Sequence, residues 1–278
     1  MLEPRLEELW RRGRPAVMGV LNVTPDSFSD GGRFARTDDA VERAVAMLAC
    51  GADIVDVGGE SSRPAAAPVE ADVERRRVLP VIAEVIRRRP DAVISVDTSK
   101  AEVAEAALAA GAQLVNDISA GRDPRMFEVV AARRAGIVLM HMRGDPGTMQ
   151  DDTTYHDVVA EVHAFLAARA EAAAAAGIAK ARILLDPGIG FGKDATGNLR
   201  LLAALPDLGS LGYPVVVGAS RKSFIAALAG GAGPQDRLAG SLAAVAGAAR
   251  LARAVVRVHD VGETVQFLTV LAALAGAA

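Results

Sequence analysis

The sequence predicts an α/β protein: a single-domain (β/α)8 barrel of the TIM type, with its active site at the C-terminal ends of the strands. Three observations carry this expectation. Short β-branched runs alternate with helix-length amphipathic segments from end to end. The 278 residues sit close to the roughly 250 typical of that barrel. Most of the runs also end in a polar residue that a buried strand does not need for folding. A doubly wound open sheet is the competing arrangement, and it normally carries a glycine-rich dinucleotide turn after its first strand. Here the first run leads instead into Asn22-Val23-Thr24-Pro25-Asp26-Ser27-Phe28.

The expected strands are Ala16–Val23, Asp53–Val57, Ala92–Asp97, Leu114–Asp117, Gly136–His141, Arg182–Asp186, Pro214–Gly218 and Ala254–Val258. Between them, Asp38–Cys50 places Val41, Ala44, Val45, Leu48 and Ala49 on one helical face. His156–Ala176 repeats that spacing with Val158, Val159, Val162, Phe165 and Leu166, and Gly177 follows as a stop. Asp72–Arg89 contains Pro80, which predicts a kink or break there. No Pro- or Ser-rich linker divides the chain, and residues 1–14 read as an N-terminal extension of the single domain.

Composition excludes several functions. Hydrophobic residues make up 51% and aromatics only 4%, which suits close helix-on-sheet packing and not a stacking platform for nucleic acid. The net charge of −3 supplies no basic field for nucleic acid, and clusters such as Arg75-Arg76-Arg77 and Arg87-Arg88-Arg89 read as solvated helix faces. The single cysteine, Cys50, rules out an internal disulfide or a cysteine-based zinc site, and its place before Gly51 predicts a buried spectator. Met1–Arg14 has no apolar signal-peptide stretch and no run is long enough to span a bilayer, so a cytoplasmic protein is expected.

The polar strand ends are Asn22, Asp56, Asp97, Asn116, His141 and Asp186, joined by Ser220-Arg221-Lys222 and Arg257-Val258-His259. Any one of the aspartates has a simpler role open to it, capping the next helix. In a barrel, however, all these ends converge on one mouth. Asp97, Asn116 and Asp186 suit the NH and carbonyl edges of a polar heterocycle. Arg63, Arg257 and His259 are cationic donors suited to phosphate oxygens. Together they predict a nitrogen-rich ring bearing a phosphate tail. Gly188-Ile-Gly-Phe-Gly-Lys193 meets neither the P-loop nor the dinucleotide spacing, and reads as a flexible loop with Phe191 free to lie against a flat ligand. His141, His156, His163 and His259 show no metal-ligand spacing. Two long segments, Val23–Thr37 and Gly58–Val69, are expected to cover the mouth.

These residues resemble one family closely. Met18-Gly-Val-Leu-Asn-Val-Thr-Pro-Asp-Ser-Phe-Ser-Asp-Gly-Gly32 and Asp53-Ile-Val-Asp-Val-Gly-Gly-Glu-Ser-Ser-Arg-Pro64 look like the two signatures of dihydropteroate synthases. Ile94-Ser-Val-Asp-Thr-Ser-Lys100, Val115-Asn-Asp117, Leu139-Met-His-Met142, Leu185-Asp-Pro-Gly-Ile-Gly-Phe-Gly-Lys193, Ser220-Arg-Lys-Ser223 and Arg257-Val-His-Asp260 follow in family order. The resemblance implies that (7,8-dihydropterin-6-yl)methyl diphosphate and p-aminobenzoate are joined to 7,8-dihydropteroate with release of diphosphate. It implies pterin contacts at Asp97, Asn116, Met140, Asp186, Gly218 and Lys222. It places the diphosphate at Asn22, Ser62, Arg63, Arg257 and His259, and p-aminobenzoate at Phe28, Pro64, Phe191 and Ser223, its carboxylate near the start of the helix after Lys222. Asp97, Lys222 and Arg63 are the implied catalytic residues. Mg²⁺ is the implied cofactor, with Asn22 as its protein ligand. Sulfonamides are implied as competing ligands, and a homodimer as the assembly. Many family members have Thr where this chain has Ser62, which keeps the hydroxyl and removes a methyl. Pterin-dependent methyltransferases share the acceptors for the pterin but have no need of a diphosphate clamp. An inactive pterin-binding paralogue is expected to show eroded loops or a broken clamp, and this sequence shows neither.

Overall fold

The first strand, β1 (Ala16–Asn22), hydrogen-bonds on one side to β2 (Ile54–Gly58) and on the other to β8 (Ala254–Val258), and every pair is parallel. β3 (Val93–Asp97), β4 (Leu114–Asp117), β5 (Gly136–Met140), β6 (Ile183–Asp186) and β7 (Val215–Val217) complete a closed barrel in sequence order. The structure is a computed structural model that describes residues 2–24, 33–61 and 68–277. Each expected strand is present, its ends displaced by no more than one residue.

The helices that return the chain between strands are α2 (Arg33–Ala49), α3 (Ala71–Arg88), α4 (Ala101–Ala109), α5 (Met126–Ala132), α6 (Val158–Ala175), α7 (Ala195–Ala203), α8 (Leu205–Gly209), α9 (Ser223–Leu228), α10 (Leu238–Ala248) and α11 (Val261–Gly276). Helix α6 follows its sequence signals: Asp157 caps its start by accepting from the Val159 and Ala160 amides, and Gly177, at φ +96°, turns the chain away past its end. α3 runs through Pro80 without a break. Pro80 and Arg76, whose carbonyl loses its usual partner, both lie on the exposed face, while Val78, Val81, Ile82 and Val85 stay buried. Cys50 is exposed, not buried as its sequence position predicts: the buried face of α2 ends at Met47, and Ala49 is exposed as well. No helix of the described residues is long and apolar enough to cross a membrane.

Two apolar shells hold the barrel. The larger lies between strands and helices, and includes Val41, Val55, Ile82, Ile94, Val115, Leu166, Leu185 and Val256. The smaller fills the lumen with Met18, Ile54, Val93, Leu114, Val138, Leu184, Val216 and Val255. A ninth partner comes from outside the repeat: α1 (Leu2–Trp10), the supposed extension, inserts Leu2, Leu6 and Leu9 beneath this layer and closes the N-terminal end. Arg12 and Arg14 pin it by pairing with Asp53 at 2.5 and 3.1 Å. Truncating Leu6 to Ala should therefore cost about 2–5 kcal/mol by urea denaturation. Substrate affinity should hardly change, since the polar mouth is at the other end. A denaturation midpoint equal to the parent's would show that α1 contributes nothing to the barrel.

Candidate active site

Strand parity decides which side chains reach the mouth. Two residues beyond the lumenal Ile54, Leu114, Val138, Leu184, Val216 and Val255, and hence on the same face, stand Asp56, Asn116, Met140, Asp186, Gly218 and Arg257. Asp97 stands four beyond Val93. The same parity turns His141 outward: its ring meets Phe165 of α6 edge-on at 5.0 Å, and its Nδ1 is buried without a hydrogen-bond partner among the described residues. Burial, with Lys193 nearby, pushes it down to about 3, so it is neutral and does not join the convergent set that the strand ends predict.

The centre of the mouth is Arg257. Its Nε donates to Asp56 Oδ2 at 2.7 Å and its Nη2 to Asp97 Oδ2 at 2.5 Å, while Asn116 Nδ2 donates to the same Asp56 oxygen at 2.9 Å. Burial opposes the guanidinium charge, but Asp56 and Asp97 more than offset it. Burial likewise pushes the Asp97 carboxyl above the usual carboxylate range, with Arg257 opposing the rise. The diphosphate clamp and the pterin acceptors, read from the sequence as separate halves, thus meet in one ion cluster. Asp56 is completely buried, and its Oδ1 has no partner among the described residues.

Asp186 is also raised by burial, opposed by the Gly188 amide, which donates to its Oδ1 at 2.7 Å. Its Oδ2 faces Gly218, where an added Cβ would sit only 3.7 Å away, so the glycine leaves room in front of an unspent acceptor. Lys222 lies with Nζ 3.8 Å from the centre of the Phe191 ring. Burial, then the Arg257 charge, lowers it to about 8. Phe191, Met140, Met142 and Met149 form an apolar wall, with Ile118 against it. A cavity of about 380 Å³ opens on the β3–β5 side, where Asp97, Thr98, Ile118 and Met142 line it; Asn116, Asp186 and Lys222 do not.

His259 departs from its expected role as a cation. Burial, with Arg257 and Arg221 close by, lowers it to about 4, so at neutral pH it is an uncharged imidazole. Ser220 Oγ accepts the His259 amide at 3.2 Å and lies 3.1 Å from Nδ1. In the tautomer where the Ser220 hydroxyl donates its proton to Nδ1, Nε2–H is the outward donor. Asn22 ends β1, half-buried, and Ser223 opens α9, exposed. Phe28, Ser62, Arg63 and Pro64 lie outside the described residues, as does about half of each segment expected to cover the mouth.

Asp56 is a strand end whose residue type alone assigns it no role, although parity with Ile54 places it in the lumen. Ile118, Met142, Met149 and Lys193 were not assigned at all. They come from loops, where no periodicity marks a face.

A closed parallel barrel with heterocycle acceptors and an ion cluster at its mouth defines a pterin-binding barrel enzyme, and the family model described as "Pterin binding enzyme" matches residues 18–259. Dihydropteroate synthase of Escherichia coli (strain K12) is 48% identical over 259 residues, covering 93% of this chain and 91% of that protein. The solved Xanthomonas albilineans dihydropteroate synthase with 4-aminobenzoic acid is 49% identical, with a TM-score of 0.88 and coverage of 94% of this chain and 93% of that one. The Yersinia pestis dihydropteroate synthase in its sulfonamide drug complex is 44% identical, with a TM-score of 0.88 and 95% of both chains covered. The chain belongs to the dihydropteroate synthase family, and is a transferase.

Changing Asp186 to Asn keeps the carbonyl for Gly188 and turns Oδ2 into an NH₂ facing the ligand. Pterin binding should weaken by about 1–3 kcal/mol, the scale of one mispaired buried polar group. Calorimetry showing unchanged affinity would remove Asp186 from the binding site.

Proposed function

We propose that this chain condenses (7,8-dihydropterin-6-yl)methyl diphosphate with p-aminobenzoate, giving 7,8-dihydropteroate and diphosphate in folate biosynthesis. The observation that carries this reading is the Asp56–Arg257–Asp97 cluster standing beside Asn116 and Asp186 at the lumen mouth. Asp186 and Asn116 grip the ring's NH edge, and Lys222 donates to its carbonyl. Met140 and Gly218 bound the slot. Arg257 keeps Nη1 unspent on any described residue, so it can reach a diphosphate oxygen without releasing either carboxylate. Nε2–H of His259 adds a neutral donor, and Asn22, Ser62 and Arg63 complete the diphosphate site.

Breaking the carbon–oxygen bond leaves the electron pair on diphosphate and positive charge on the pterin methylene, which the Asp97 carboxylate faces and stabilises. The neutral arylamine nitrogen then supplies the pair for the new carbon–nitrogen bond and loses a proton, so no strong base is required. Phe28, Pro64, Phe191 and Ser223 hold p-aminobenzoate, and sulfonamides compete for that place. Mg²⁺ suits an oxygen donor such as the half-buried Asn22 at the end of β1, because it commonly takes few protein ligands beside substrate phosphates. Asn22 would hold it, and when bound it would neutralise charge on the diphosphate. Val270 and Leu274, 55% and 65% exposed and four apart on α11, support a homodimer. A cytoplasmic location accompanies this reading.

A turnover assay detecting released diphosphate tests the reaction. Arg257→Ala should weaken the diphosphate ester by roughly 1.5–3 kcal/mol, the scale of a hydrogen bond to a charged group, and a pterin lacking the diphosphate much less. Equal losses would mean that Arg257 only holds the carboxylates. The pH dependence follows from Lys222. Because its folded value is lowered to about 8, its charge is lost as pH rises through that value. The basic limb of kcat/KM should therefore centre near 8. A limb near the ordinary lysine value of about 10.4 would separate Lys222 from the rate.

A further inference from the structure

The loop from Gly188 to Lys193, which the sequence suggests is flexible, is pinned at almost every residue. The amides of Gly188 and Gly190 donate to Asp186 Oδ1 at 2.7 Å and Asn198 Oδ1 at 2.6 Å, and the Phe191 amide donates to Gly188 O at 3.1 Å. Tyr155 Oη donates to Gly192 O at 2.9 Å. At its centre is the ammonium of Lys193, only 3% exposed. Its Nζ donates to the carbonyl oxygens of Phe191 at 2.8 Å, Gly188 at 3.0 Å and His141 at 3.2 Å.

Burial lowers the Lys193 amine to about 7, but three surrounding carbonyls favour the ammonium, whose three N–H donors are then all spent on backbone. Lys193 therefore has no donor left for a phosphate or a substrate, despite standing at the end of a glycine-rich run. The three carbonyls belong to the end of β5, the turn after β6 and Phe191 itself, so one side chain ties the aromatic residue to two strands. The approach is close: a Cβ at Gly188, φ +67°, would lie 1.9 Å from His141 O. The Phe191 ring thus held is the one lying 3.8 Å from Lys222 Nζ.

We propose that Lys193 is a positioning residue for the second substrate: its buried ammonium, shared among the carbonyls of His141, Gly188 and Phe191, sets the Phe191 ring at the barrel mouth. This rests on the reading that Phe191 forms part of the p-aminobenzoate surface. A neutral side chain of similar length leaves three carbonyls without their common donor, and the loop loses its centre.

The test uses Lys193→Met and Lys193→Gln, each alone and combined with Phe191→Ala, in the full chain. With saturating pterin diphosphate, Lys193→Met should raise the KM for p-aminobenzoate roughly tenfold and leave kcat within about threefold, as expected when a substrate-binding surface is displaced. Lys193→Gln, which keeps two N–H groups, should give a smaller rise. If Lys193 acts through Phe191, the double variant should be no worse than Phe191→Ala, since the effects of coupled residues do not add. Losses that multiply in the double variant, or an unchanged KM, would overturn the proposal. Should the Met variant fail to fold, the Gln variant carries the same comparison. Hydrogen exchange across 188–193 reads the cage without any substrate: it should quicken in the variants, and unchanged exchange would also overturn the proposal. An unmodified protein that forms no dihydropteroate would instead refute the reaction, and the exchange comparison would still decide the role of Lys193.

Discussion

When eight parallel strands close on themselves, every second side chain is forced into a lumen that has no exit sideways. Lower in the barrel this space is filled by branched apolar residues and sealed beneath by the leucines of α1. The next step along the strands lies above that floor and still below bulk solvent. Side chains placed there are held by the sheet on all sides, and their orientation follows from their residue number. Asp56, Asn116, Asp186 and Arg257 are fixed in this way, which gives the mouth its rigidity.

The chemistry of the mouth follows from placing charges in that confined space. Asp56, Asp97 and Asp186 are matched by Arg257, Lys222 and Lys193, and each cation is met differently. Arg257 pairs with two carboxylates, Lys222 lies over an aromatic face, and Lys193 is enclosed by backbone oxygens. A buried charge without such partners costs several kcal/mol. The guanidinium suits the central place because its fork meets two carboxylates at once and still has a donor to spare. Asp186 Oδ2 keeps open space in front of it at Gly218, while the Lys222 ammonium lies over the Phe191 ring.

Much of this was legible in the linear pattern. The strand boundaries, the convergence of polar strand ends and the separation into ring acceptors and anion donors all follow from periodicity and residue type. Other features required the neighbours. Cys50 looked buried from its place before Gly51, yet the buried face of α2 stops at Met47 and leaves Ala49 and Cys50 exposed. His259 looked cationic, but its charge depends on Arg257 and Arg221 beside it and on desolvation. The glycine-rich loop looked flexible because glycine is permissive. Its rigidity comes from Lys193, Asn198 and Tyr155, which reach it from outside or from its end.

The sequence by itself determined the class of fold, the order of its elements and the chemistry available at each strand end, because these depend on local periodicity and on residue type. Tertiary structure decided which of those ends share a lumen, which partner each charge takes and what closes the barrel floor. Parity places Asp56 in the lumen and His141 against α6, but the joining of Asp56 to Arg257 spans 201 residues of chain. No local pattern encodes a contact of that separation. It exists because β8 closes against β1, and closure is a property of the whole sheet.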